Sequence, residues 1–246
     1  MTGKIYVVGI GPGLVEHMTN AAREAIEKSE IIVGYKTYIE IVKEIISEKE
    51  IYSNGMTKEI DRCKKAIELA KEGKTVSVIS SGDAGIYGMA GIILELLENE
   101  EEKVKVEIIP GVTALNAAAS SLGAPLMHDF CVISLSDLLT DWNLIEKRIE
   151  NAAAADFVIG IYNPKSKGRP HNIDKAREII LKYRKPSTPV GIVTNAKREN
   201  ESIKVTTLED MLKEEINMFT VVIVGNSKSY ITGDNEKIIT PRGYKL

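Results

Sequence analysis

Three turns that contain glycine, each directly after a short apolar run, most constrain how this chain can fold. The runs and their turns are residues 4–8 with 9–13, 75–79 with 82–85, and 104–109 with 110–111. An apolar run that ends at glycines and leads into a helical pattern is typical of a strand–loop–helix unit in an open α/β sheet. Ligands bind beyond the carboxyl ends of the strands in such sheets, so we expect the three turns to gather on one rim and to line a ligand site.

The middle turn carries the clearest chemistry. It consists of Ser81-Gly82-Asp83-Ala84-Gly85 and leads into a helical pattern over residues 86–97. Its glycines let the backbone approach a ligand closely, and Asp83 is its only charge. A helix-capping role for Asp83 is the competing interpretation.

The first turn, Gly9-Ile10-Gly11-Pro12-Gly13, fits neither of two common nucleotide-binding motifs. A Rossmann fingerprint requires a third glycine where Leu14 stands, and a Walker A loop requires a lysine that does not follow here. The turn therefore either lines a cleft with bare backbone or is an ordinary turn.

Helical periodicity completes the first half of the chain. Thr19 is placed to cap a helix, and small residues over 115–121 predict another. A third helix is predicted over 59–72, ending before Gly73, with a buried face of Ile60, Cys63, Ala66, Ile67 and Ala70. Cys63 is therefore expected in the core rather than as a reactive thiol. Strands that alternate with helices predict a mainly parallel sheet with helices on both faces.

The second half continues the alternation after Gly123-Ala124-Pro125, where we place the domain boundary. The predicted domains are residues 1–124 and 125–246. Strands are predicted over 130–134, 156–162, 189–194, 202–206 and 219–224, and helices over 143–155, 173–183 and 208–215.

Composition restricts the function. The net charge of −3 gives no basic field for nucleic acid, and 43% hydrophobic residues are ordinary for a soluble domain. No apolar run reaches the length of a membrane span, and no signal-peptide pattern opens the sequence. Two cysteines are too few for a disulfide framework or a zinc site. We expect a cytoplasmic protein with no membrane or nucleic-acid partner and no metal held by the protein.

The motifs taken together resemble those of the tetrapyrrole methylase family, the S-adenosylmethionine-dependent enzymes of corrin and sirohaem synthesis. The family motifs are G-x-G-P-G at Gly9, S-G-D-x-x-x-Y-G at Ser81, P-G-V-T-A at Pro110 and V-G-N at Val224. Four further segments, residues 34–38, 123–130, 133–140 and 162–167, resemble the branch that methylates C17 of precorrin-3B, or of its cobalt counterpart, and contracts the ring. Asp141 departs from that branch, where proline is expected before Trp142.

The resemblance implies an α/β fold of two unequal domains, each with a mainly parallel or mixed sheet flanked by helices. It implies that the cofactor is held in the cleft between the domains and that the protein is a homodimer with a tetrapyrrole substrate.

The cofactor implied is S-adenosylmethionine, which becomes S-adenosylhomocysteine. By resemblance it is bound by Pro12, Ser81, Gly82, Asp83, Ile86, Thr113, Ala114, Asn163 and Ala196. These residue types suit a zwitterionic amino acid, a ribose and an adenine, because they offer backbone groups, a few polar side chains and an apolar slot. A helix N-cap is the competing interpretation of Thr113.

Tyr35, His128 and Asp137 are the catalytic candidates. A titrating imidazole suits the proton transfer that ring contraction needs, although a buried or capping role for His128 and a turn-capping role for Asp137 compete. The candidates for substrate binding are Gly11, Lys36, Ser134, Lys165, Lys167 and Arg169. Lys165, Lys167 and Arg169 could meet the carboxylates of the substrate or form a solvated surface.

Other functions remain open at this stage. They are a sister methyltransferase acting on C20 or C11, a non-catalytic cofactor-binding module, and a methylase of protein or RNA with the same fold. The sequence does not decide whether the substrate carries cobalt.

Overall fold

The computed structural model describes residues 2–55, 58–98, 100–234 and 236–245. The chain divides into two compact units, residues 1–114 (the first unit) and 115–246 (the second unit). Within the ranges that are described, no helix is both long and apolar enough to cross a membrane.

Within its described residues, the first unit contains five strands and four helices. The strands are β1 (Lys4–Gly9), β2 (Ile31–Tyr35), β3 (Glu50–Asn54), β4 (Thr75–Ser80) and β5 (Lys105–Ile109). The helices are α1 (Asn20–Lys28), α2 (Lys36–Val42), α3 (Glu59–Lys71) and α4 (Ala90–Glu98), with short 3-10 turns at Val15–His17 and Lys43–Ile45.

All five strands of the first unit are parallel, in the order β3-β2-β4-β1-β5. Alternate residues of β1 enter opposite cores, because side chains alternate across a sheet. Ile5 and Val7 pack with residues of α3 and α4, whereas Val8 packs with residues of α1 and α2. The parallel sheet with helices on both faces is confirmed.

The three predicted helices of the first unit, α1, α3 and α4, form with two departures from their patterns, and α2 was not predicted. Thr19 Oγ1 accepts a hydrogen bond from Ala22 N (3.1 Å) and caps α1, and Gly73 takes a left-handed φ of 92° after α3. The prediction for Ile60 was wrong, because its side chain is exposed while the rest of that stripe is buried. The helix predicted from residue 86 begins only at Ala90, and Tyr87 at a φ of 53° lies in the preceding turn.

The part of the second unit that the structure describes contains eight strands and three helices. The strands are β6 (Gly123–Ala124), β7 (Phe130–Ser134), β8 (Val158–Tyr162), β9 (Pro189–Thr194), β10 (Ser202–Thr207), β11 (Thr220–Val224), β12 (Tyr230–Ile231) and β13 (Ile238–Ile239). The helices are α5 (Ala114–Leu122), which begins at the last residue of the first unit, α6 (Trp142–Ala154) and α7 (Asn172–Leu181). The helix predicted over 208–215 is only a 3-10 turn at Met211–Lys213.

The main sheet of the second unit is mixed, in the order β10-β9-β11-β8-β7. β7 and β8 are parallel, and β11 is antiparallel to both β8 and β9. The strands β7, β8 and β9 therefore run in the same direction and end at the same edge. A small sheet, β12-β13-β6, completes the unit.

Helix α5 packs within the second unit. Leu115 lies against Gly160 of β8, and Leu122 lies against Gly191 of β9, where a larger residue would collide with them. The compact units consequently divide after the first residue of this helix, whereas sequence analysis placed the domain boundary after Ala124. The boundary between residues 124 and 125 stays a prediction.

Candidate active site

The three glycine turns of the first unit meet at the carboxyl edge of its sheet, as predicted. Ile10 N donates to Ser80 O (2.9 Å). Gly11 and Gly82 exchange two backbone hydrogen bonds, 3.1 Å from Gly11 N to Gly82 O and 2.7 Å from Gly82 N to Gly11 O. The rim therefore has a defined backbone conformation, and backbone groups can meet a ligand there without a rearrangement.

Glycine is required where the turns approach each other. A Cβ at Gly111 would lie 2.6 Å from Gly9 O, which is closer than carbon and oxygen tolerate. Gly82 has a φ of 69°, a conformation that glycine adopts at no steric cost.

Asp83 connects two of these turns. Its Oδ1 accepts a hydrogen bond from Gly85 N (2.8 Å) and its Oδ2 accepts one from Gly111 N (2.9 Å). Asp83 does not cap α4, since that helix begins only at Ala90. The carboxylate instead fixes the rim that Gly82 and Ala114 belong to, which sequence analysis did not anticipate.

The other candidates of the first unit lie at ends of strands on the same edge. Pro12 follows β1, Ser81 follows β4, and Thr113 and Ala114 follow β5, while Ile86 is an exposed residue of the turn before α4. Tyr35 ends β2, which pairs with β4, and Lys36 begins α2.

Sequence analysis missed Arg62, which supports Tyr35. The guanidinium of Arg62 lies 6.0 Å from the centre of the Tyr35 ring, close enough for a cation–π contact. This side chain is buried and donates to Asn54 Oδ1 (2.6 Å) and Gly55 O (2.9 Å). The sequence gives no signal that an arginine in α3 supports Tyr35, because Tyr35, Asn54 and Gly55 lie outside that helix.

In the second unit, Asn163 and Ala196 follow β8 and β9 at their common carboxyl edge. Asn163 has a left-handed φ of 51°, and its Nδ2 donates to Ser134 Oγ (2.9 Å) at the end of β7. Ala196 is buried. The structure thus brings the cofactor candidate Asn163 into contact with the substrate candidate Ser134.

Asp137 and Arg169 lie beside this pair. Ser136 N donates to Ser134 Oγ (3.2 Å), and Arg169 Nη1 donates to Ser136 Oγ (2.9 Å). Arg169 Nε lies 3.9 Å from Asp137 Oδ1, an ion-pair distance, and has no hydrogen-bond partner in the described part of the chain. The structure therefore joins the loop after β7 to the loop after β8.

The three cations of the loop after β8 differ in their surroundings. Two backbone hydrogen bonds between Ser166 and Arg169 close a tight turn, and we call residues 165–169 the basic turn. Arg169 is engaged by Ser136, Lys165 is half-buried, and Lys167 is exposed. The side chain of Arg169 is thus held in place by its hydrogen bond to Ser136.

His128 lies at the opposite end of β7 from Asp137. The strand has five residues, so its first and last Cα atoms are roughly 13 Å apart at about 3.3 Å per residue. His128 Nδ1 accepts a hydrogen bond from Asp129 N (2.8 Å), and its side chain is 47% exposed. It lines a pocket of about 560 Å³ with Phe157 and Arg242, among others. The structure does not bring His128 and Asp137 together.

A different aspartate performs the capping that was considered for Asp137. Asp141 Oδ1 accepts a hydrogen bond from Asn143 N (2.9 Å) and caps α6. Asp137 is therefore not needed to start that helix.

The cysteine thiols are not nucleophiles at neutral pH. Burial raises the pKa of Cys63 to about 12 and the pKa of Cys131 to about 11. The core position predicted for Cys63 is confirmed.

Over the described ranges, histidine, cysteine and carboxylate side chains form no cluster of three that could hold a metal ion.

Comparison with known proteins defines the class of this protein. The sequence model of the family described as "Tetrapyrrole (Corrin/Porphyrin) Methylases" matches residues 4–212, so the chain belongs to this family of methyltransferases.

Individual relatives are similar over the whole chain. A protein of Salmonella typhimurium named "Probable cobalt-factor III C(17)-methyltransferase" is 53% identical over 98% of this chain and 99% of its own length. The "Cobalt-factor III methyltransferase" of Priestia megaterium is 54% identical over 100% of this chain, which spans only 46% of that relative. A solved structure, "Crystal structure of the methyltransferase CobJ", has a TM-score of 0.91 at 36% identity, covering 98% of this chain and 100% of the other.

Proposed function

We propose that this protein transfers a methyl group from S-adenosylmethionine to C17 of cobalt-factor III and contracts the macrocycle during corrin synthesis. The observation that carries this proposal is the 53% identity to the Salmonella typhimurium relative across nearly the full length of both chains. The names of both curated relatives favour a substrate that carries cobalt over metal-free precorrin-3B.

The residues of the first-unit rim fit S-adenosylmethionine. The rim offers backbone amides and carbonyls, half-buried polar side chains and the exposed apolar side chain of Ile86, which suits a ligand with a zwitterionic, a hydroxylated and an aromatic part. We infer that the cofactor is bound by Pro12, Ser81, Gly82, Asp83, Ile86, Thr113 and Ala114 on the rim of the first unit. Asn163 and Ala196 stay cofactor-binding candidates by resemblance. When bound, the cofactor supplies the methyl group of its sulfonium and leaves as S-adenosylhomocysteine.

The protein contributes mainly by positioning. Methyl transfer from a sulfonium requires little acid–base help, and holding two reactants in line removes much of the entropic barrier. Asp83 supports this role because it fixes the backbone of two turns through Gly85 and Gly111. We infer that Asp83 acts on the cofactor chiefly through the rim that it holds.

Ring contraction needs a group that moves a proton while a carbon migrates. Asp137 is our first candidate, because it lies beside Arg169 and near Ser134 at the carboxyl edge. Tyr35 is the candidate on the first unit. Gly11, after β1, and Lys36, after β2, are the substrate-binding candidates of that unit. His128 stays a separate candidate with a test of its own, since it lies at the other end of β7.

Two further parts of the proposal have different grounds. We infer from the family resemblance that the protein acts as a homodimer, and from the sequence pattern and the few cysteines that it is cytoplasmic. Cobalt belongs to the substrate, and no step requires a metal held by the protein.

An anaerobic incubation tests the proposed function. Purified protein is mixed with S-adenosylmethionine and either cobalt-factor III or precorrin-3B, and release of S-adenosylhomocysteine is followed by chromatography. We expect release with the cobalt-bearing substrate. Release only with precorrin-3B would contradict the choice of substrate, and binding of the cofactor without any release would favour a non-catalytic module.

A further inference from the structure

Two leucines at the carboxyl edge of the second unit are almost entirely in solvent. Leu138 is 72% exposed and Leu139 is 100% exposed, and we call this pair the leucine tip. Single exposed leucines are ordinary, whereas adjacent apolar side chains beside a candidate site point to a surface that a ligand or partner covers.

The loop that carries the leucine tip is anchored on both sides. Before it, Leu135 is fully buried and its carbonyl accepts a hydrogen bond from Asn172 Nδ2 (2.9 Å). After it, Asp141 caps α6, and Trp142 Nε1 donates to Glu146 Oε1 (2.6 Å). The two leucines are thus presented by a short loop with fixed ends.

The basic turn is fastened to the same loop. Arg169 reaches from the basic turn to Ser136, next to Asp137 and two residues before Leu138. An apolar tip and the cations Lys165 and Lys167 therefore belong to two loops that are hydrogen-bonded to each other. An uncovered apolar tip on a loop that is hydrogen-bonded to a loop with cations matches a flat, apolar ligand with carboxylates around its rim.

We propose that the leucine tip packs against the apolar face of the tetrapyrrole macrocycle while Lys165 and Lys167 meet its peripheral carboxylates. Arg169 is a positioning residue that joins the two loops through Ser136 and does not bind the substrate itself. This inference rests on the proposed function, because the substrate class comes from there.

Leu139→Ser is the sharpest variant for a test. Because the side chain of Leu139 is fully exposed, its loss removes no packing from the free protein, and Tm should not change. Loss of a leucine contact in the complex should weaken substrate binding about tenfold or more. Tyr244→Ser is the control, since Tyr244 is another large, mostly exposed residue (74%) that lies outside both loops.

The single tryptophan of the chain supplies a direct readout. Trp142 directly follows the leucine-tip loop, so a bound tetrapyrrole should quench its fluorescence. Titration with cobalt-factor III gives Kd without turnover, calorimetry with S-adenosylhomocysteine gives the cofactor Kd, and light scattering gives the molar mass. We expect Leu139→Ser to raise only the tetrapyrrole Kd, with Tyr244→Ser equal to wild type.

Two results would overturn the inference. An unchanged tetrapyrrole Kd in Leu139→Ser would exclude a substrate contact. A lower molar mass of the variant would assign the leucine tip to contact with a second copy of the chain. If wild type binds the tetrapyrrole but never methylates C17, the proposed function fails while the titration still decides the role of the leucine tip.

Discussion

Replacing Asp83 with alanine should loosen the rim of the first unit and weaken the binding of the cofactor. The change removes the acceptors of Gly85 N and Gly111 N. Water can replace the acceptor at the exposed Gly85, but the amide of Gly111 is half-buried. A hydrogen bond to a charged group contributes roughly 1.5–3 kcal/mol, so we expect the free energy of unfolding to fall by about that amount.

The effect on the cofactor follows from the same contacts. Without the carboxylate, the turn at Gly82 and the turn at Gly111 are no longer tied, and the backbone groups that meet the ligand lose their fixed positions. We expect the Kd for S-adenosylhomocysteine to rise at least about tenfold. Calorimetric titration measures the Kd, and urea unfolding followed by circular dichroism measures the stability.

Two variants serve as controls for Asp83→Ala. Asp61→Ala removes an exposed carboxylate that pairs with Lys58 at 3.3 Å, and should cost no more than about 0–1 kcal/mol with no change in the cofactor Kd. Asp83→Asn should have an intermediate effect, because its amide keeps one acceptor oxygen for the two donors Gly85 N and Gly111 N. Wild-type affinity in Asp83→Ala, at normal or reduced stability, would refute the link between this carboxylate and the cofactor.

The remaining predictions concern the loops, the proton transfer and the cysteines. Changing Lys165 and Lys167 together to Gln should raise the substrate KM at low salt and converge with wild type as salt rises, because screening acts within about 8–10 Å. Arg169→Lys should raise the substrate KM at low and at high salt alike, since Arg169 acts through its hydrogen bond to Ser136. A rise in KM that disappears at high salt would make Arg169 a substrate ligand instead. Asp137→Asn should accumulate methylated product with an uncontracted ring, seen in its absorption and NMR spectra, and the same product from His128→Ala alone would assign the proton to His128. Cys63 and Cys131 have folded pKa values raised to about 12 and 11, so the folded state keeps protons that an unfolded thiol releases above about pH 8.5. Their contribution to stability should therefore be full below that pH and fall as pH rises toward 11–12, and alkylation at pH 8 should label them only after unfolding; rapid labelling of the folded protein would contradict the burial.

The sequence predicts elements where burial imposes a clear pattern. The bounds of β7 and β9 agree with the apolar runs at residues 130–134 and 189–194, and the glycine turns meet as expected. The edge strand β3 was missed because half of its pattern faces solvent, with Ile51 exposed. The late start of α4 was missed because apolar Ile86 and Tyr87 continue the helical pattern in residues that form a turn.

The candidate site could be predicted from the sequence only in part. Sequence analysis named Ser134, Asn163 and Asp137 as separate candidates, Asn163 only by family resemblance. The structure brings them to one sheet edge. The support of Tyr35 by Arg62 and of Ser136 by Arg169 could not be predicted, because each contact joins residues whose proximity depends on the fold. The separation of His128 from Asp137 follows from their positions on either side of β7.

The position of the transferred methyl group tests the central claim most directly. The protein is incubated without oxygen with cobalt-factor III and S-adenosylmethionine carrying a ¹³C-labelled methyl group, and the product is analysed by NMR. We predict one labelled methyl group at C17 of a ring-contracted macrocycle. A label at C20 or C11 would assign the protein to a sister reaction of the same family and contradict the account.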